Sequence, residues 1–222
     1  MSIFDTLIGV IAPHACSGCG EEGRALCAAC VAALVPVPSR CYRCGRVAAD
    51  FRTCPACRRR SPLYAAWVVT AYNGTAKEVV GKLKFARARA AGHDVGDALA
   101  KRLPARGAFD VVAYVPTAPS RVRSRGYDQA ELIARRVAQQ QGLPLLSLLR
   151  RHGNRRQLGQ TRAVRKTQMQ GIFWAIRVKE FRGKHVLLVD DVLTTGSTCE
   201  AAAATLKAAG AKRVSAAVFA AA

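Results

Sequence analysis

The sequence predicts an α/β fold on a parallel sheet, preceded by a small metal-held module. Three observations carry that expectation. From Ala65 onward short apolar runs alternate with helical patterns, as in helix-covered parallel sheets. Eight of the nine cysteines fall before Arg58, in four CxxC pairs. Finally, Val186 to Thr198 reads VLLVDDVLTTGST: an apolar run, two carboxylates and a turn of small hydroxyl residues, followed by an alanine-rich helical stretch from Glu200 to Ala209.

Size and charge bound the reading. A chain of 222 residues suffices for one α/β domain and a small module, expected at residues 61–222 and 1–60. Ile3, Phe4, Leu7, Ile8, Val10 and Ile11 make the start apolar. That segment lacks a basic leader and a cleavage site and is too short to span a bilayer, so a packing segment in a cytoplasmic protein is expected. The formal net charge of +21 implies a polyanionic ligand or partner, or else a solvated basic surface.

The cysteine pairs are Cys16/Cys19, Cys27/Cys30, Cys41/Cys44 and Cys54/Cys57. A CxxC turn presents two thiolates to one metal, and four Cys close a structural Zn²⁺ site. Sequential pairing gives two zinc ribbons; crossed pairing, first with third and second with fourth, stays open. Gly18, Gly20 and Gly45 suit the tight turns of such knuckles. A disulfide set would need an oxidising compartment, for which the sequence gives no export signal. Cys199 stands apart and reads as a buried, inert thiol.

The remaining elements follow in order. Arg58 to Pro62 serves as a linker, and Ala65 to Tyr72 reads as a strand. Thr75 to Arg87 is helical, with Val79, Val80, Leu83 and Phe85 on its apolar side. A second helix spans Gly92 to Leu103 and is closed by Pro104. Asp110 to Val115 is a buried strand, and Pro116 to Tyr127 a long Arg-bearing loop. Asp128 to Gln141 is a helix and Leu145 to Leu149 a short strand. Arg150 to Thr161 is irregular, Arg162 to Gln170 helical and Ile172 to Ala175 a short strand. His185 to Val189 and Arg213 to Ala220 are the last strands. Ligands of such sheets bind beyond the carboxyl ends of the strands, which brings Asp190 and the loop after Val115 together.

The Val186–Thr198 run suggests a ligand. Helix N-terminal N–H groups attract a phosphate, and small hydroxyl residues let it approach. Asp190 and Asp191 would repel that phosphate unless they face another part of the ligand, such as a ribose diol or a bound Mg²⁺. A sugar carrying a 5′-phosphate fits both halves. The plainer alternative is a buried strand, an incidental acidic turn and a capped helix. Between Arg121 and Arg165, Arg greatly outnumbers the two acids Asp128 and Glu131. Those loops suit a pyrophosphate, which the Arg fork pairs bidentately, or a nucleic-acid backbone. Tyr127 is the sole aromatic among them, fewer than a stacking platform for single strands carries.

The Val186–Thr198 run resembles the motif by which type I phosphoribosyltransferases bind 5-phosphoribosyl 1-pyrophosphate (PRPP). The resemblance implies that Asp190 and Asp191, the candidate catalytic pair, hold the ribose hydroxyls. Thr194, Thr195, Gly196, Ser197 and Thr198 would hold the 5′-phosphate. Where 6-oxopurine salvage enzymes have an Asp for the base, this chain has Thr194, which argues against that substrate group. With Leu83 to Phe85, Val115-Pro116, Arg125 to Gln129, Gln157, Arg165 and Phe173, the chain is similar to the ComF family of double-zinc-ribbon, phosphoribosyltransferase-like proteins. An Asn is usual there where this chain has Gln168.

That resemblance implies two structural Zn²⁺ ions, Mg²⁺ accompanying PRPP, Arg125 over the pyrophosphate and a role in DNA uptake and natural competence. Two functions remain in view. One is a phosphoribosyltransferase acting on PRPP or a related nucleotide ligand. The other is a non-catalytic protein that binds single-stranded DNA or a competence helicase.

Overall fold

The structure, a computed structural model, describes residues 15–85, 89–151 and 171–222, except the side chain of Phe85. The expected helix at 162–170, the apolar segment at 3–11, and Gln157, Arg165 and Gln168 lie outside the described residues.

Four strands form one parallel sheet: β1 (Ala66–Ala71), β2 (Val111–Tyr114), β5 (His185–Leu193) and β6 (Arg213–Ala221), in the order β1-β6-β5-β2. A separate antiparallel pair joins β3 (Leu149–Arg151) to β4 (Phe173–Ala175). The central strands are apolar along their length because both faces are covered. Val186, Leu187, Leu188 and Val189 of β5 are fully buried, as are Val214 and Ala216 to Ala220 of β6.

Each edge of the sheet is covered by chain that adds no full strand. Beside β1, Val37 donates its N–H to Val69 O at 3.2 Å, and Thr70 Oγ1 donates to Val35 O at 2.9 Å. Beside β2, Val112 donates to Pro144 O at 3.0 Å and receives from Leu146 N–H at 2.9 Å. The expected strand at 145–149 is thus a single bridge at Leu145, and the extended pairing starts at Leu149. Covered edges leave few open backbone groups for unwanted strand addition.

Helices Ala90–Arg102 and Gln129–Gln141 pack against each other and over the sheet. Two glycines permit the close approach. A Cβ on Gly92 would lie 2.9 Å from Leu132 Cβ, and one on Gly96 would lie 2.6 Å from Arg136 Cβ. Asp97 then accepts from Arg136 Nε at 2.7 Å and from Gln140 at 2.8 Å.

The path of the chain singles out one crevice. From β2 the chain crosses helix Gln129–Gln141 to the bridge at Leu145, moving outward. From β5 it crosses helix Ser197–Ala208 to β6, moving the opposite way. Right-handed crossovers therefore put those two helices on opposite faces. The carboxyl ends of β2 and β5 face the gap where the direction reverses, the position at which open α/β sheets bind ligands.

Three boundaries differ from expectation. β5 does not stop before Asp190: it continues to Leu193, because β6 is long enough to pair Val192 with Ala220 and Leu193 with Ala221. Helix Ser197–Ala208 starts a turn earlier than expected, directly behind Gly196. The Arg-bearing loop contains helix Pro119–Arg125, with Pro119 in its first turn and Gly126 at its C-cap with φ +81°. Among the described residues, no helix is long and apolar enough to cross a membrane.

Candidate functional site

The site is best built from Asp191. It is 5 % exposed and accepts from Lys84 Nζ at 3.1 Å and from Gln129 Nε2 at 3.3 Å. Gln129 in turn accepts from Arg125 Nη1 at 2.7 Å. Three segments far apart in sequence thus meet in one network: the end of helix Gly74–Phe85, the run Arg125–Gln129, and β5. Asp128 locks the same corner from below. Its carboxylate accepts from Thr117 N–H at 2.7 Å, Thr117 Oγ1 at 2.8 Å and Ala130 N–H at 3.0 Å. It caps helix Gln129–Gln141 and ties it to the segment leaving β2.

Asp190 behaves differently from its neighbour. One oxygen accepts the Asp191 N–H at 2.9 Å, and the other lies 3.9 Å from Cys199 Sγ. Burial, and next the Asp191 carboxylate, push Asp190 well above the usual carboxylate range. Burial, and next Asp190, likewise raise the Cys199 thiol, which is buried as expected. Arg151 of β3 lies over the Phe173 ring, 5.6 Å from its centroid.

Beyond β5 lies the turn that the sequence reading expects to hold a phosphate. Thr194 and Thr195 are exposed, and Gly196 turns the chain with φ +75°. Thr195 Oγ1 and Ser197 Oγ are 2.8 Å apart, and helix Ser197–Ala208 opens immediately after. Gly196 at the N-cap offers no side chain, and Thr195 Oγ1 accepts from the Ser197 N–H at 3.4 Å at the start of that helix. The structure therefore brings Asp190, Asp191, Arg125 and Thr194 to Thr198 to one end of the sheet.

The eight clustered cysteines separate into two groups, Cys16/Cys19/Cys27/Cys30 and Cys41/Cys44/Cys54/Cys57, each with all sulfurs within 4.8 Å of one another. Pairing is sequential; the crossed arrangement is excluded. Four sulfurs about 2.3 Å from one zinc stand about 3.8 Å apart along a tetrahedron's edge. Here Cys19 and Cys27 Sγ are 3.8 Å apart, and Cys44 and Cys54 Sγ 3.6 Å. Both groups could hold zinc. Burial raises the Cys16 thiol, yet backbone donors at Cys27, Cys19 and Gly18 outweigh it and bring it down to about 6. Cys41 follows the same pattern, also to about 6. The neighbouring Cys16 and Cys27 sulfurs push Cys30 up to about 12, so a metal would displace protons on binding. Gly20 and Gly45 supply left-handed turns, at φ +78° and +71°. Gly18 is glycine for another reason: a Cβ there would sit 2.5 Å from Cys30 Sγ.

Sequence reasoning overlooked Tyr42, Arg43 and Glu200 as site neighbours. Tyr42 Oη donates to Glu200 Oε1 at 2.6 Å and also meets Ser61 Oγ. Arg43 Nε pairs with the same Glu200 oxygen at 3.3 Å. The one available signal was an aromatic-basic pair, Tyr42-Arg43, between the two cysteines of a CxxC pair.

With this geometry in place, residues 90–222 match the phosphoribosyl transferase domain, more than half of the chain. The chain belongs to the phosphoribosyltransferase domain family. No curated protein matches it. Among solved structures, the allosteric regulatory enzyme of purine biosynthesis is 23 % identical with a TM-score of 0.42, covering 59 % of this chain and 25 % of its own. Glutamine PRPP amidotransferase from B. subtilis, complexed with ADP and GMP, is 24 % identical with a TM-score of 0.42, covering 58 % and 26 %. Purine phosphoribosyltransferase from Pyrococcus horikoshii OT3 is 16 % identical with a TM-score of 0.30, covering 68 % and 74 %. This phosphoribosyltransferase-family chain spans about a quarter of the first two proteins' lengths.

Proposed function

We propose that this protein binds PRPP, or a closely related 5-phosphoribosyl ligand, at the carboxyl ends of β2 and β5, and acts there as a phosphoribosyltransferase. Asp190 and Asp191 take the ribose hydroxyls. The N–H groups and hydroxyls of Thr194 to Thr198 take the 5′-phosphate. Lys84 and Arg125 face the pyrophosphate. Catalysis would come from holding the ligand in line and from cations placed where the leaving group gathers charge. Mg²⁺, carried on the pyrophosphate, would neutralise part of that charge. Residues 1–60 are read as a double zinc-ribbon module and 61–222 as the transferase domain. With these ribbons the chain is proposed as a ComF-like cytoplasmic protein serving DNA uptake.

The network Arg125–Gln129–Asp191–Lys84 supports this reading most directly. It sets cations beside the acid pair, and the acid pair beside an anion cradle. A sugar bearing phosphates at both ends needs that alternation. The net charge of +21 favours a second reading, non-catalytic binding of single-stranded DNA or a transformation helicase. Against it, DNA offers no 2′-hydroxyl to an acid pair. Calorimetric titration with PRPP–Mg²⁺ separates them. Micromolar binding that weakens at least about tenfold in both Asp190→Asn and Asp191→Asn supports the transferase reading. Absence of PRPP binding, with salt-sensitive binding to single-stranded DNA, establishes the second.

A further inference from the structure

The two cysteine groups meet the remainder of the chain at different places. The first touches helices away from the anion cradle. Lys82 Nζ donates to Ala15 O at 2.6 Å, and Leu26 N–H donates to the buried Asp94 carboxylate at 3.0 Å. The second group touches the cradle itself. The Tyr42 ring covers Gly196 so closely that a Cβ there would lie 3.1 Å from Tyr42 Cε2. Its hydroxyl and the Arg43 guanidinium converge on Glu200, whose N–H is bonded to Gly196 O at 2.8 Å. Tyr42 and Arg43 occupy the two positions between Cys41 and Cys44, so the metal turn aims both.

We propose that the second zinc knuckle is a clamp on the phosphate loop, with Tyr42 and Arg43 as positioning residues for the 5′-phosphate of a ribose ligand. The clamp acts in two ways. The ring closes one side of the Gly196 turn, holding the following N–H groups in their anion-binding arrangement. The phenol and guanidinium also occupy Glu200 Oε1, which would otherwise set a bare carboxylate in the first turn of the helix receiving the phosphate.

This inference rests on the ribose-phosphate reading, and its test separates the two. Ribose 5-phosphate and pyrophosphate–Mg²⁺ are titrated against wild type, Tyr42→Ala and Tyr42→Phe, all confirmed to carry two metal ions per chain. Backbone amide exchange is followed over residues 194–200 without ligand. Tyr42→Ala, which uncovers the Gly196 turn as well as removing the hydroxyl, is expected to weaken ribose 5-phosphate about tenfold and to leave pyrophosphate within about twofold. Its loop amides exchange faster. Tyr42→Phe keeps the ring and retains most of the affinity. Arg43→Ala, which spares the ring contact, serves as the second variant should Tyr42→Ala not fold. Unchanged affinity and unchanged exchange overturn the clamp; so does equal loss of both ligands. A wild type that ignores ribose 5-phosphate overturns the ligand reading, while the exchange arm still decides whether Tyr42 holds the loop.

Discussion

The cysteine region and the sheet reach order by opposite routes. Between Cys16 and Cys57 few apolar side chains are fully buried, chiefly Ala25 and Leu26 beside the first group and Phe51 beside the second. The short helices there, Ala28–Ala32 and Pro55–Arg58, contribute no buried residue. The sheet instead buries continuous runs of Val, Leu and Ala on both faces. One region has two cysteine groups that could hold an ion in place of a core; the other is held by area removed from water. The difference explains where chemistry can be housed. Among the described residues, Asp191, buried beside the half-buried Asp190, lies in the sheet on β5.

Metal removal should break this comparison most visibly. Stripping zinc with a strong chelator is expected to unfold the cysteine region, since structural zinc contributes on the order of 10 kcal/mol to such modules. The sheet should persist. Metal analysis falling from about two ions per chain to none, with most of the circular dichroism retained, is the expected result. Loss of the whole spectrum in one step would show that the sheet depends on the ribbons as well.

The complementary change lies in the sheet. Leu188 is fully buried at the centre of β5, between β2 and β6. Leu188→Ala should cost about 2–5 kcal/mol, from lost transfer energy and the cavity left behind. Urea unfolding measures it, and the metal content of the folded protein should not change. A cost under about 1 kcal/mol would mean that β5 is not the centre of the core.

How far the sequence discloses each region follows the same physics. The cysteine groups are legible because their chemistry is local: a CxxC turn builds half a site, and only the pairing of halves required coordinates. The apolar runs of β5 and β6 are legible because a strand covered on both faces admits little else. The end of β5 is not. Asp190 and Asp191 look like a strand end, yet the backbone pairs onward to Leu193, and its length is fixed by β6. The helix Pro119–Arg125 is hidden by its own charge, although Pro119 and Gly126 punctuate it. The partners of Asp191 are legible only as separate motifs: nothing near Lys84 or Gln129 in sequence says that they converge on one carboxylate. Tyr42 is least legible, since its contacts with Gly196 and Glu200 join segments far apart in sequence.

The smallest expected effect bears most closely on what the sheet can hold. Asp190 and Asp191 stand side by side on β5. Lys84 and Gln129 answer Asp191, while Asp190 has a backbone N–H and a weak thiol donor. Because the folded pKa of Asp190 lies above that of a free Asp, about 3.9, its contribution to stability is greatest below pH 4. That contribution declines as pH rises through the folded value. An Asn at this position does not titrate, and its Oδ1 can still accept the Asp191 N–H. Asp190→Asn should therefore stabilise the ligand-free protein by about 1 kcal/mol at neutral pH, as removal of a desolvated functional charge commonly does. The advantage should shrink toward pH 4, read as the difference between two denaturation curves across pH. An Asn variant less stable at pH 7 than at pH 4, relative to wild type, would mean that Asp190 is well solvated or paired. The sheet would then be storing no cost at Asp190.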